Sequence, residues 1–111
     1  MKKLYRCSVC GYIHEGDAPP DKCPKCQQLG EKFEEMTPEA AEKVYRSDKT
    51  NGIHMEIISL TNRIIALSQE GIEDNLDPKC LFALQLTKDE AWIIKQRLKA
   101  ELAGHMNAGK W

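Results

Sequence analysis

The sequence predicts a small α+β protein. A cysteine-bearing module with a short antiparallel sheet is expected over residues 1–36, followed by an all-α helical hairpin over residues 37–111. Three observations predict it. Cys7, Cys10, Cys23 and Cys26 form two CxxC pairs within a short N-terminal stretch. The composition changes near Met36-Thr37, from turn-rich to helix-periodic. Beyond that point a cap residue followed by proline occurs twice, at Thr37-Pro38 and at Asp77-Pro78.

The first part is punctuated by Gly11, Gly16, Pro19-Pro20, Pro24 and Gly30. Between these residues only short strand-like pieces fit: Leu4-Tyr5-Arg6, Tyr12-Ile13-His14 and Lys32-Phe33-Glu34. In Thr37-Pro38-Glu39, Thr37 suits the cap, Pro38 is preset for the first helical position and Glu39 complements the positive end of the dipole. This helix runs through Val44-Tyr45 towards Ser47, and Asn51-Gly52 offers either a break or a bend. From Ile53 the apolar residues Ile53, Ile57, Leu60, Ile64 and Leu67 recur at 4-3-4-3 spacing, with Ile58, Ile65 and Ile72 as a second row. A double stripe of this kind calls for partners on more than one side. Gly71 is the expected stop.

A second helix is expected from Pro78 to about His105, with Leu81, Leu84, Ala91, Ile94, Leu98 and Leu102 on its apolar face. A helix of that length extends roughly 42 Å. The short link between the two helices implies an antiparallel hairpin. Faces this wide exceed what two helices cover, so either the short first helix adds to the core or two chains pair as a four-helix bundle. The homodimer is the reading adopted.

Charge narrows the partners. The chain of 111 residues carries 16 Lys+Arg against 17 Asp+Glu, for a net charge of −1. Neither part is strongly charged, so no basic field draws in nucleic acid or an anionic membrane surface. No apolar run is long enough to span a bilayer. The start, Met1-Lys2-Lys3-Leu4-Tyr5-Arg6, has no apolar stretch behind it and does not read as an export signal.

Five cysteines, four of them in doubled CxxC spacing with Cys80 apart, point to metal binding and not to a disulfide framework. A reducing, cytoplasmic setting follows. Two residues between paired cysteines let both sulfurs turn inward while backbone N–H groups aim at them. Four such thiolates close a tetrahedral site suited to iron or zinc, and they stabilise a module too small to do so by apolar burial.

Tyr5-Arg6-Cys7-Ser8-Val9-Cys10-Gly11-Tyr12-Ile13-His14-Glu15-Gly16-Asp17, then Pro19-Pro20-Asp21-Lys22-Cys23-Pro24-Lys25-Cys26, then Lys32-Phe33-Glu34, resembles the short rubredoxin-like module of the rubrerythrin family. The likeness covers about residues 3–36. It implies one iron per chain held by Cys7, Cys10, Cys23 and Cys26 in two knuckles backed by a small sheet, and one-electron transfer between redox partner proteins. It also implies that Cys10 and Cys26 carry the sulfurs nearest the surface. The family usually has glycine after each second cysteine, where a left-handed backbone lets the N–H reach sulfur. Gly11 fits and Gln27 departs, so either Gln27 is strained or the second knuckle is altered.

Two rival functions use the same residues. One is a zinc-ribbon interaction module with a structural Zn(Cys)4 site. The other is a reduced rubrerythrin-like peroxidase with a di-iron site at a helical dimer interface. That site needs inward carboxylates and Glu-x-x-His pairs, and the candidates Glu56, Glu70, Glu90, Glu101, His54 and His105 do not form them: Glu101 and His105 are four apart. Solvated helix faces account for these residues more simply, and an electron carrier is preferred to an enzyme. Cys80 in a first helical turn reads as a packed thiol. His14 is expected beside the metal site, and Tyr5, Tyr12 and Phe33 around it. Trp92 reads as core. Trp111, ending a polar tail, is expected either to dock on the helices or to meet a partner.

Overall fold

The computed structural model describes residues 2–111; Met1, the first residue of the expected N-terminal module, lies outside the described residues. The chain divides into two compact units, Met1–Arg46 and Ser47–Trp111.

In the first unit, β1 (Lys3–Cys7), β2 (Ile13–Gly16) and β3 (Phe33–Glu35) form an antiparallel sheet in the order β2-β1-β3. Tyr5 pairs with His14 on one side and Glu35 on the other, and Cys7 pairs with Phe33. Alternation along β1 sends Tyr5 and Cys7 to one face, where they are buried with Cys23 and Phe33. Tyr12 and His14 each meet the Phe33 ring edge-on, with centroids 6.4 Å apart. Each of the three expected strands forms, with its limits shifted by a residue or two. Tyr12 falls just before β2, although its carbonyl still accepts the Cys7 N–H at 2.8 Å. Lys32 closes a 3₁₀ turn over Gly30–Lys32 before β3 begins.

Helix α1 spans Pro38–Asp74 and α2 spans Pro78–Asn107. Thr37 caps α1, its Oγ1 accepting the Ala40 N–H at 3.2 Å. Within the first unit, the Tyr45 hydroxyl lies 2.5 Å from Glu15 Oε2 and 3.0 Å from the Lys2 carbonyl. The hydrogen bond to the Glu15 carboxylate, with burial and that negative charge, pushes the Tyr45 hydroxyl up to about 12. A folded-state value above the unfolded one contributes stability that is present below pH ~10 and is lost as pH rises towards ~12. One tyrosine should therefore titrate late in an ultraviolet pH titration. Tyr45→Phe should remove that late step and make the first unit less sensitive to alkaline unfolding.

In the second unit α1 continues through Asn51-Gly52 without a break. Gly52 costs about 1 kcal/mol of helix propensity, too little to interrupt a helix held by its neighbour. The helix also passes the expected stop at Gly71 and ends at Asp74. Gly71 serves packing instead: a Cβ there would lie 2.5 Å from Leu84 Cδ1. Asn75, at φ 50°, supplies the left-handed terminus, and its N–H reaches the Gly71 carbonyl at 3.2 Å. Asp77 caps α2 through Oδ1, which accepts the Cys80 N–H at 2.8 Å. At the far end Gly109 turns left-handed at φ 74°, and the Lys110 N–H bonds the His105 carbonyl at 2.8 Å.

Contacts between Asn51 and His105, Gln69 and Lys88, and Gly71 and Leu84 run in opposite chain directions, which makes the pair an antiparallel hairpin. Asn51 ties its end together. Its Nδ2 donates to the Lys110 carbonyl at 2.8 Å and its Oδ1 lies 2.6 Å from His105 Nδ1. An amide oxygen only accepts, so the hydrogen sits on that ring nitrogen. The tail before Trp111 is thus bound to the hairpin through Lys110, while Trp111 itself is 44% exposed. Among the described residues no helix is long and apolar enough to cross a membrane.

Candidate metal centre

Two turns with matching hydrogen bonds place the four cysteines. In the first, the Cys7 N–H bonds the Tyr12 carbonyl at 2.8 Å and the Gly11 N–H bonds the Cys7 carbonyl at 2.9 Å. In the second, the Cys23 N–H bonds the Gln28 carbonyl at 2.8 Å and the Gln27 N–H bonds the Cys23 carbonyl at 3.0 Å. The first turn is fastened by Ser8, whose N–H and hydroxyl both donate to the Lys32 carbonyl, at 3.0 and 2.7 Å. The second is closed by the Lys22–Leu29 bridge and by the Gly30 N–H on the Asp21 carbonyl.

The two alternatives for Gln27 resolve. The second knuckle is not rebuilt: Gln27 adopts φ 66°, close to the φ 81° of Gly11. Its own N–H goes to the Cys23 carbonyl instead of sulfur, and the left-handed turn brings the Gln28 N–H to Cys26 Sγ. A side chain in this region costs of order 1 kcal/mol. Gln27→Gly should therefore stabilise the metal-bound module by about 0.5–1 kcal/mol, less the extra chain entropy of glycine, with metal content unchanged. Denaturant titration of the two proteins checks this.

The four Sγ atoms lie within 4.8 Å of one another. Cys7 Sγ is 3.7 Å from Cys26 Sγ, and Cys10 Sγ is 3.5 Å from Cys23 Sγ. A tetrahedron with metal–sulfur bonds of roughly 2.3 Å has edges of about 3.8 Å, so the residues fit a four-coordinate ion. Cys7 and Cys23 are buried, whereas Cys10 and Cys26 are half-buried, which gives the order of exposure the resemblance implies.

The surroundings favour anionic sulfur. Burial pushes the Cys23 thiol up, but the N–H groups of Cys26 and Lys25 and the neighbouring thiols outweigh it and bring it down to about 6. At Cys7 burial is likewise overcome, by the N–H groups of Cys10 and Val9 and by the Cys10 and Cys26 thiols, and its pKa is lowered. Cys26 behaves oppositely. The Gln28 N–H draws it down, but burial and the thiols of Cys23, Cys10 and Cys7 push it up to about 11. Four sulfurs this close do not all ionise without a cation, and a bound metal ion replaces the protons they otherwise share.

The backbone donors of Val9, Lys25 and Gln28 went unnamed in the sequence reading, because an N–H belongs to every residue type except proline. Their only signal is the CxxC spacing. His14 stands against Phe33 as expected of a packed side chain. Among the described residues, the cysteine quartet is the one group of three or more side chains arranged to hold a metal. Glu56, Glu70, Glu90 and Glu101 are exposed. Glu101 pairs with His105 at 3.3 Å, and His105 meets His54 edge-on at 5.8 Å. Cys80 is half-buried and is not a member of that quartet.

The knuckles, the sheet behind them and the sulfur tetrahedron define a rubredoxin-like domain with a four-cysteine metal site. Residues 5–34 match the rubredoxin-like domain of rubrerythrin. Among curated proteins, reverse rubrerythrin-1 of Clostridium acetobutylicum is 49% identical over 39 residues. That match covers 35% of this chain and 21% of the relative, so the two share about a fifth of the relative's length. No solved structure is significantly similar to the chain.

Proposed function

We propose that the protein is a one-electron relay that holds a single iron at Cys7, Cys10, Cys23 and Cys26 and passes electrons between redox partner proteins in the reducing interior of the cell. When bound, iron supplies a one-electron couple in a tetrahedron that serves both oxidation states and leaves no position open to substrate. The residues of the chain do the rest. Cys7 and Cys23 anchor the site from within, and the N–H groups aimed at sulfur disperse negative charge. Tyr5 and Phe33, with Tyr12 partly buried beside them, insulate the inner side. Cys10 and Cys26 form the outer side, next to Val9, which is 56% exposed. That one-sided exposure carries the reading, because it leaves a short route between sulfur and a docked protein.

The sulfur separations suit zinc equally well, and with zinc the same module is a structural interaction domain. Film voltammetry of the iron-reconstituted chain tests whether the site can relay electrons. A single reversible one-electron wave with one iron per chain is expected. An iron-loaded protein without such a wave would remove the relay.

A further inference from the structure

In the helical unit, α1 turns a mixed polar and apolar row towards α2 and leaves a wholly apolar row outside. Asn51, Thr61 and Ser68 are buried, whereas Ile53, Ile57, Leu60, Ile64 and Leu67 are between 38% and 57% exposed. The outer row precedes the His54, Ile58, Thr61, Ile65, Ser68 row by one residue throughout. One residue is a rotation of roughly 100° about the helix axis, close to the angle between two neighbours in a four-helix arrangement. On α2 the exposed Phe82, Leu86 and Ile93 are interrupted by Asp89, so the continuous seam belongs to α1.

The charges beside this seam select its occupant. With Ile57 and Ile64 at a positions and Ile53, Leu60 and Leu67 at d, the flanking g positions hold Lys49, Glu56, Arg63 and Glu70. All four are exposed, and none belongs to an ion pair of the described residues. Two copies laid antiparallel, with Ile53 against Ile64 of the second copy and Ile57 against Leu60 of the second copy, bring g beside g. Glu56 then meets Arg63 of the second copy and Lys49 meets Glu70 of the second copy, each pair occurring twice about the two-fold axis. A slip of one heptad one way sets Arg63 against itself and Glu56 against Glu70. A slip the other way sets Glu56 against itself and Lys49 against Arg63. In a parallel pair the same charges face the row of His54, Thr61 and Ser68, which α2 already covers.

We propose that the chain forms an antiparallel homodimer through α1 in this register, with Glu56–Arg63 and Lys49–Glu70 pairs across the seam. The identity of the metal does not enter this inference. Light scattering of the full chain at micromolar concentration should give twice the 12.6 kDa of one chain. Glu56→Arg and Arg63→Glu should each weaken the dimer roughly tenfold or more, because each turns two attractive pairs into repulsive ones. Mixed in equal amounts, the two variants should restore wild-type affinity as a heterodimer, in which every Glu56–Arg63 contact is attractive again. Both positions are exposed, and unchanged far-ultraviolet circular dichroism verifies that the helices persist. A wild-type mass other than two chains would overturn the proposal. So would single reversals that leave the dimer as tight, or a mixture no tighter than its parts.

Discussion

Cys23→Ser should abolish metal binding and unfold the first unit while the helical hairpin stays formed. Cys23 is fully buried in one cluster with Tyr5, Cys7 and Phe33, its Sγ accepting the Cys26 N–H at 3.5 Å and lying 3.5 Å from Cys10 Sγ. Serine offers a harder oxygen donor on a shorter bond, which cannot complete a tetrahedron spaced for sulfur. The loss is large because metal binding is folding energy in so small a module, and several orders of magnitude in affinity should go with the ligand. Apart from cysteine, Leu4, Tyr5 and Phe33 are the buried apolar residues of this unit among those described. Domains of this size are seldom stable without a metal or a disulfide. Amide exchange should become fast across β1, β2 and β3, and helical circular dichroism should persist. A C23S protein with one tightly held metal per chain and a protected sheet would contradict this assignment.

Asn51→Leu should destabilise the helical unit by about 2–4 kcal/mol although it adds apolar surface at a buried helix position. Asn51 is 5% exposed and satisfies two groups from α2 and its tail, the His105 ring and the Lys110 carbonyl. Leucine leaves both without this partner, at about 1–2 kcal/mol for each part-buried polar group. It also removes one of the two hydrogen bonds that hold Lys110, leaving its N–H on the His105 carbonyl. Thermal unfolding followed by helical circular dichroism measures the effect. Asn51→Asp, which keeps an acceptor for His105 but loses the donor for Lys110, should fall between the two.

The sheet was legible because its limits are written in local chemistry. Gly11, Gly16 and the paired prolines leave little room for anything but short strands, and the CxxC spacing fixes which side chains converge. The starts of both helices were equally plain, since Thr37-Pro38 and Asp77-Pro78 combine a cap with a preset first residue. What escaped was set by distant partners. Asn51-Gly52 looks like an interruption until Asn51 is seen to reach residues at the far end of α2. Gly71 looks like a terminus until Leu84 is seen to occupy the space a side chain would need. The double stripe on α1 called for partners on more than one side, and within the chain one row is covered: Ile58, Ile65 and Ile72 lie half-buried, while the Ile53-to-Leu67 row stays outside. On α2, Ala91 and Leu102 are buried as expected, but Ile94 and Trp92 remain 37% and 54% exposed. Periodicity says that a face is apolar and leaves open what covers it. At Gln27 sequence alone left strain and rearrangement equally open, because the outcome depends on whether the knuckle's hydrogen bonds outweigh about 1 kcal/mol of left-handed backbone.

Under the proposed relay, this quartet of sulfurs holds a metal that changes oxidation state. Elemental analysis together with a visible spectrum, on protein purified without oxygen from the cells that make it, puts the relay to the test. One iron per chain, with a red thiolate-to-iron absorption that bleaches on adding dithionite and returns on reoxidation, is the predicted result. A colourless protein carrying one zinc per chain from iron-replete cells would contradict it.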